Sequence, residues 1–123
     1  MRKMKVAISV SGETPAAAVD PRFGRAAGFL VVDLVSGASE YVTNTQNLRA
    51  AQGAGIQAAQ NVVNAGAQAV LTGHCGPKAF RVLQAAGVAI YLGAEGTAAQ
   101  ALDRLRAGDW KACEDADVEG HWV

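Results

Sequence analysis

The sequence predicts an α/β fold with a five-stranded mixed sheet. From residue 54 onward, helical and strand patterns alternate, which is typical of a parallel sheet with helical crossovers. The first half contains three strand patterns, and the short turn between the last two indicates a β-hairpin. If the later strands add outward from strand 1, the order is 3-2-1-4-5, only strand 2 is antiparallel, and helices cover both faces.

Strands 1 to 3 are identified by apolar and β-branched residues. Residues 5–10 form a buried strand 1, and residues 29–34 form strand 2, which is richer in β-branched and aromatic side chains. Ser36 and Gly37 predict the turn of the hairpin. Residues 40–43 alternate polar and apolar, so we expect strand 3 to lie toward an edge of the sheet.

The first helix is predicted over residues 54–65. Ile56, Ala59 and Val62 fall on one face of this segment, while glutamine and asparagine side chains fall on the other. Gly66 ends the pattern, as glycine commonly does after a helix. This segment is therefore an amphipathic helix that packs against the sheet.

Two pairs of a strand and a helix complete the pattern. Residues 69–72 form strand 4 and lead into a helix over residues 77–86. Residues 88–92 form strand 5 and lead into a helix over residues 97–107, where Thr97 can cap the first turn. These two pairs are the basis for the parallel half of the sheet.

Length and composition indicate a single domain over residues 1–123, with a core over residues 4–107 and a tail over residues 108–123.

Composition also bears on partners and location. Eleven basic residues balance eleven acidic ones, which argues against nucleic-acid binding by phosphate neutralisation. The apolar stretch over residues 6–10 is too short for a signal or membrane helix. The two cysteines form neither a CxxC motif nor a disulfide framework. We therefore expect a cytoplasmic monomer that binds neither nucleic acid nor membranes.

The predicted strand order reverses between strands 1 and 4. In open α/β sheets, ligands bind at such a switch point, in the crevice outside the carboxyl ends of the strands. The loops at that end of the sheet cover residues 11–27, 44–53, 73–77 and 93–96. Residues 73–78, Gly-His-Cys-Gly-Pro-Lys, are the best candidate site, because a thiol, an imidazole and a helix start meet in one short loop.

Three segments carry a family resemblance. They are Asp-Pro-Arg-Phe-Gly-Arg at 20–25, Gly-Ala-Gly-Ile-Gln-Ala-Ala at 53–59 and Gly-His-Cys-Gly-Pro-Lys-Ala-Phe at 73–80. Over residues 4–107 the chain resembles the dinitrogenase iron-molybdenum cofactor biosynthesis family. The resemblance implies a ribonuclease-H-like three-layer α/β fold with a five-stranded mixed sheet. It also implies a protein that binds or carries a metal–sulfur cluster and is not an enzyme.

The chain is similar in size to the orange proteins of sulfate-reducing bacteria, which are small members of this family that work without a nitrogenase partner. That similarity implies a molybdenum–copper sulfide cluster held without a set of protein ligands, or a related molybdenum or iron–sulfur cluster. It also implies protein partners that deliver or receive the cluster.

Four side chains in the first and third segments suit an anionic cluster coated with soft sulfide. Arg22 and Arg25 supply positive charge, Phe23 supplies apolar contact, and Lys78 supplies a mobile ammonium near a helix start. The same arginines can instead form surface ion pairs with a nearby carboxylate, and Phe23 can instead close the end of the sheet.

The loop over residues 73–76 supplies the other expected contacts. Gly73 and Gly76 allow close approach of the backbone to the cluster. His74 and Cys75 are candidate metal ligands, because thiolate suits Cu(I) and imidazole suits copper generally. Cys75 can equally be an inert buried thiol.

Two other function classes stay open from the residues. One is a regulatory or interaction module without a cofactor. The other is a cysteine phosphatase, because His74, Cys75 and Arg81 match the H-C-x5-R spacing of that class. Pro77 removes one N–H donor from the loop, which weakens this match. A two-metal nuclease is disfavoured, because strand 1 contains no carboxylate.

Overall fold

The computed structural model describes residues 4–44, 53–108 and 110–113. In this part of the chain the strands are β1 Lys5–Val10, β2 Gly28–Asp33, β3 Ser39–Thr43, β4 Ala69–Leu71 and β5 Ala89–Tyr91. The helices are α1 Ala54–Asn64, α2 Pro77–Ala85 and α3 Ala98–Ala107, with a 3-10 helix, Phe23–Arg25, between β1 and β2. None of the helices within these ranges is long and apolar enough to cross a membrane.

The strands form one sheet of order β3-β2-β1-β4-β5. Strand β2 is antiparallel to both β1 and β3, whereas the β1–β4 and β4–β5 pairs are parallel. The predicted order and the predicted antiparallel strand are therefore confirmed. Because β1, β4 and β5 are parallel, their carboxyl ends meet at one edge of the sheet. The order reverses between β1 and β4, so the ligand-binding crevice is expected at this edge between them.

Strand β1 separates two apolar cores, because successive side chains of a strand point to opposite faces. Ala7 faces the layer of α1 and α2, together with Phe29 and Val70 from the neighbouring strands. Ile8 faces the layer of α3, together with Leu30. Helices on both faces of the sheet give the three layers that the sequence predicted.

The connection before β2 differs from the sequence prediction. Strand β2 begins at Gly28, one residue before the predicted start, because Gly28 pairs with Val10 of β1 and with Thr43 of β3. The ring of Tyr41 on β3 lies over Gly28, and a Cβ there would overlap this ring. A glycine inside a strand often marks such a close approach. The 3-10 helix Phe23–Arg25 lies where a loop was predicted, since a three-residue turn leaves no periodic pattern in the sequence.

Helix α3 begins with the cap that the sequence predicted at Thr97. The Thr97 hydroxyl accepts a hydrogen bond from Gln100 N at 3.2 Å, and the Gln100 side chain accepts one from Thr97 N at 2.9 Å. This reciprocal pair is a capping box, which satisfies two N–H groups at the helix start. Gly108 ends the helix in a left-handed conformation with φ of 85°.

The first residues of the predicted tail dock beside β5. Trp110 is buried, and its Nε1 donates a hydrogen bond to the Leu92 carbonyl oxygen at 2.9 Å. The Arg104 guanidinium carbon lies 4.1 Å from the centre of the Trp110 ring, in cation–π geometry. Residue 109 and residues 114–123 of this tail lie outside the described residues, as do residues 45–52 of the predicted 44–53 loop.

Candidate functional site

Two loops meet at the carboxyl edge of the sheet. His74 N donates to the Pro21 carbonyl oxygen at 2.7 Å, and Phe23 N donates to the His74 carbonyl oxygen at 3.1 Å. These bonds form a short parallel bridge between Arg22 and His74. The segments over residues 20–25 and 73–78 that the sequence singled out are therefore adjacent in the fold.

Gly73 sets the distance between these two loops. A Cβ at this position would lie 2.7 Å from Pro21 Cα and 2.8 Å from the Pro21 carbonyl oxygen. Gly73 is buried, so the close approach that it permits here is an approach to the protein backbone. Its predicted contact with a cluster stays a prediction.

The 3-10 helix and the starts of α1 and α2 pack closely through small residues. A Cβ on Gly24 would lie 3.0 Å from both N and Cα of Gly55, and a Cβ on Gly55 would lie 3.3 Å from Ala79 Cβ. Larger side chains at Gly24 or Gly55 would push these segments apart. The small residues thus bring two helix N-termini together at one point.

A cavity of about 300 Å³ lies at this junction and is partly open to solvent. Its walls are mostly apolar. The lining residues come from the 3-10 helix and from the first turns of α1 and α2: Gly24, Gly53, Gly55, Ile56, Gly76, Pro77, Lys78 and Ala79. Lys78 has a charged side chain, whereas the other lining residues are glycine, alanine, isoleucine or proline.

Both helix starts at the cavity have a glycine as N-cap, Gly53 for α1 and Gly76 for α2, and neither first turn contains an acidic residue. The backbone N–H groups of Gly55, Ile56, Lys78 and Ala79, in the first turns of these helices, donate no hydrogen bond to any described residue. Such N–H groups carry partial positive charge, because they have no partner inside the helix. The cavity is therefore suited to an anion.

Asn44 ties the 3-10 helix region to α1. Its side-chain amide donates to the Ala26 carbonyl oxygen at 2.9 Å, and its Oδ1 accepts a hydrogen bond from the Asn61 side chain at 3.0 Å. Asn44 is buried, and its bond to Ala26 is protected from water, while the bond with Asn61 is partly buried. The pair was not predicted, since Asn61 was placed on the polar face of an amphipathic helix and Asn44 in a loop.

The predicted cationic residues lie in and beside this cavity. Lys78 lines it, whereas Arg22 and Arg25 flank the lining residue Gly24 along the chain and are both exposed. Arg22 Nε lies 3.5 Å from Asp20 Oδ1, with 68% of the arginine side chain exposed. The Asp20 side chain is only 11% exposed, but the guanidinium lies in water, where solvent screens the pair, so Arg22 can turn toward a bound anion.

Phe23 and Cys75 lie in the core. Each is 1% exposed, and the Phe23 ring centre lies 5.2 Å from that of Phe29. Cys75 Sγ lies 3.8 Å from the Gly76 carbonyl oxygen, while the neighbouring His74 is exposed. In residues 4–44, 53–108 and 110–113, no three His, Cys, Asp or Glu side chains are grouped to hold a metal ion. Contact of Phe23 with a cluster and ligation by His74 or Cys75 stay predictions.

The phosphatase-like spacing has a different geometry from a phosphate-binding loop. The Cys75 thiol is buried, and α2 already begins at Pro77. Arg81 lies on the exposed surface of that helix. A nucleophilic thiol needs access to its substrate, so this arrangement does not support the phosphatase hypothesis.

The cavity lining includes residues to which the sequence assigned no contact with a cluster, namely Gly24, Gly53, Gly55, Ile56, Pro77 and Ala79, although Pro77 lies in the candidate loop over residues 73–78. The available signal was a pair of glycines, Gly53 and Gly76, each placed directly before a helical pattern. Glycine offers no side chain to cap the first turn, so two such helix starts near one sheet edge indicate free N–H groups.

Comparison with known proteins identifies the family of the chain. The family model described as dinitrogenase iron-molybdenum cofactor matches residues 4–108. The apo form of the orange protein from Desulfovibrio gigas is 42% identical, with a TM-score of 0.89 over 95% of this chain and 98% of that chain. A Thermotoga protein provisionally identified as NifB is 32% identical, with a TM-score of 0.79 over 95% of this chain and 99% of that chain.

A more distant relative matches by sequence. An uncharacterized protein of Methanocaldococcus jannaschii is 28% identical over 94 residues, which is 74% of this chain and 75% of that protein. The family model and the two solved structures agree with the resemblance carried by the three sequence segments. The chain therefore belongs to the dinitrogenase iron-molybdenum cofactor family.

Proposed function

We propose that this protein carries an anionic metal–sulfur cluster in the cavity at the starts of α1 and α2, and that it catalyses no reaction. The observation that carries the proposal is the convergence of two helix N-termini and Lys78 on one mostly apolar cavity. Membership of a family named for the iron-molybdenum cofactor supports a metal cluster as the cargo.

The charge at the cavity favours a small polyvalent anion. Each helix N-terminus is equivalent to about half a positive charge, so the two termini and the Lys78 ammonium together supply about +2. Arg22 and Arg25 add attraction from exposed positions, where salt screens it. This balance suits a thiometallate, which carries its negative charge on sulfide atoms around the metal.

The apolar walls favour sulfide as the outer atom of the cargo. Backbone N–H groups donate to cluster sulfides in proteins, and soft sulfur packs well against carbon. Ile56 and Pro77 offer such carbon surface beside the free N–H groups. The cluster is then held through its sulfides, so the metals need few bonds from protein side chains.

The cargo that we propose contains molybdenum, with copper as the second metal of a mixed sulfide cluster. This choice rests on the resemblance to the orange proteins, and the 42% identity to the Desulfovibrio gigas protein supports it. Partner proteins then supply the cluster or accept it, since a carrier without catalysis must exchange its cargo.

Metal and sulfide analysis tests the proposed function. The protein is purified anaerobically, its visible spectrum is recorded, and the analysis is repeated after addition of tetrathiomolybdate and a copper salt. We expect stoichiometric molybdenum, copper and sulfide with strong charge-transfer bands. A colourless protein that takes up neither metal would contradict a cluster carrier and favour an interaction module without a cofactor.

Charge reversal beside the cavity is expected to weaken retention of the cluster. In Arg22→Glu with Arg25→Glu, two exposed cations become anions, so the cluster meets repulsion at the 3-10 helix. We expect most of the bound molybdenum to be lost on gel filtration, with an unchanged circular dichroism spectrum. The control is Arg106→Glu, because Arg106 is exposed on α3, whose buried residues pack in the core on the other face of the sheet. Wild-type molybdenum content in the double variant would contradict a role for these arginines.

Substitution of Cys75 tests the predicted bond to copper. Because the thiol is 1% exposed, ligation requires the 73–76 loop to move when the cluster binds. If that bond forms, Cys75→Ala lowers the copper content more than the molybdenum content. The matched comparison is Cys113→Ala, which removes the other thiol of the chain. Equal loss or equal retention of both metals in Cys75→Ala would show that Cys75 packs in the core and does not bind copper.

A further inference from the structure

The side chains that line the cavity can distinguish anions that have the same charge and shape but different outer atoms. Ile56 and Pro77 place aliphatic carbon at the cavity, and Pro77 lacks the N–H that the first residue of a helix usually offers. We infer that Ile56 and Pro77 make this cavity accept tetrahedral thioanions and reject the corresponding oxyanions. This inference rests on the proposed function and concerns the same cavity.

Tetrathiomolybdate and molybdate are a matched pair of ligands for this question. Both are tetrahedral dianions, so the helix N-termini and Lys78 attract both through the same net charge. They differ in their outer atoms, because oxide is hard and strongly hydrated whereas sulfide is soft and polarizable. Net charge alone therefore does not separate the two anions, and the comparison of wild-type protein with variants of Ile56 and Pro77 isolates the contribution of the walls.

An oxyanion in this cavity loses hydration that the walls do not replace. Oxygen atoms that face the side chains of Ile56 and Pro77 meet carbon in place of water. A charged polar atom left without a hydrogen bond costs about tenfold to hundredfold in affinity. Sulfide atoms at the same places lose less hydration and gain dispersion contacts with the same carbon atoms.

The start of α2 also differs from sites that are built for oxyanions. Phosphate-binding loops present consecutive backbone N–H groups and add a serine or threonine hydroxyl. The segment over residues 76–79, Gly-Pro-Lys-Ala, interrupts the N–H series at Pro77 and contains no hydroxyl. Ile56 occupies the equivalent first turn of α1 with a branched aliphatic side chain. Two substitutions can therefore restore the missing donors.

The test measures dissociation constants of the cluster-free protein for tetrathiomolybdate and for molybdate by calorimetry, anaerobically and at one ionic strength. We expect wild-type protein to bind tetrathiomolybdate at least about tenfold more tightly. In Ile56→Thr with Pro77→Ser, added hydroxyls and a new N–H should strengthen molybdate binding about tenfold and weaken tetrathiomolybdate binding. Val63→Thr near the other end of α1 is the matched control and should leave the ratio unchanged.

The outcomes distinguish a failure of the inferred selectivity from a failure of the proposed function. Equal wild-type affinities would overturn the selectivity and leave anion binding in place. Failure of wild-type protein to bind tetrathiomolybdate would contradict the proposed function and this inference together. An unchanged ratio in a folded double variant would show that Ile56 and Pro77 do not determine the preference. Should the double variant not fold, the same ratio measured in Ile56→Thr and in Pro77→Ser separately decides the matter.

Discussion

Aspartate at both helix starts, Gly53→Asp with Gly76→Asp, is expected to abolish cluster binding while it stabilises the fold. Both glycines have extended N-cap geometry, with φ and ψ of −75° and 172° at Gly53 and of −68° and 163° at Gly76. A Cβ at either position meets no atom of the described residues within 4 Å. An N-cap carboxylate accepts hydrogen bonds from the second and third N–H groups of the helix. Those are the groups that the proposed site offers to the cluster.

Stability and binding should therefore change in opposite directions in this variant. Capping and the favourable helix dipole raise the free energy of unfolding by about 1 kcal/mol. The two carboxylates occupy the N–H donors and repel the anionic sulfides, so no molybdenum should remain after gel filtration. Urea unfolding and metal analysis on the same preparations give the two quantities.

Two controls separate the causes of this loss. Gly53→Asn with Gly76→Asn caps the helices without adding charge, so it should retain part of the binding. Thr97→Asp adds a carboxylate at the cap of α3, whose buried residues lie in the core on the other face of the sheet, and should leave metal content unchanged. Wild-type metal content in the double aspartate variant would contradict the placement of the cluster at these helix starts.

Gly73→Ala is expected to have the largest effect on stability. The new Cβ would lie 2.7 Å from Pro21 Cα, 2.8 Å from the Pro21 carbonyl oxygen and 2.9 Å from Pro21 Cβ. Most of this clash is with backbone, so it forces apart the two loops that the His74–Pro21 hydrogen bond joins. Overpacking of this kind costs about 1–3 kcal/mol in the free energy of unfolding.

The matched control lies three residues away. Among the described residues, no atom lies within 4 Å of a Cβ at residue 76, and its φ is an ordinary negative one. Gly76→Ala should therefore change the free energy of unfolding by less than about 1 kcal/mol. Urea unfolding of both variants provides the comparison. Gly73→Ala with the stability of wild-type protein would contradict the close approach of residues 21 and 73.

The sheet was predictable because its strands carry strong local patterns. The alternation of strand and helix after residue 54 and the turn at Ser36 and Gly37 were enough for the order and direction of the strands. The prediction that residues 20–25 and 73–78 meet at the carboxyl edge followed from that order. The start of β2 lies at Gly28 because this residue pairs with both neighbouring strands, although glycine is a poor strand former and was not predicted there.

The cavity itself was less accessible to sequence reasoning. Its proposed polar groups are backbone N–H groups, and every residue type except proline carries one. The sequence therefore drew attention to reactive side chains such as Cys75, which the fold buries, and to Phe23, which packs on Phe29. Which glycines lie beside one another depends on the packing of three segments that are distant in sequence.

The most direct test of cluster binding at the helix starts is an NMR titration. Amide spectra of isotope-labelled protein are recorded before and after addition of a molybdenum–copper sulfide cluster. A second cavity of about 230 Å³, lined by Lys5, Val31, Asp33, Ala38, Ser39 and Glu40, serves as an internal reference on the same molecule.

We expect the largest shifts at the amides of Gly55, Ile56, Lys78 and Ala79, and small shifts at residues of the second cavity. Shifts that are absent, or that are largest around Lys5 and Glu40, would contradict a cluster held between the starts of α1 and α2.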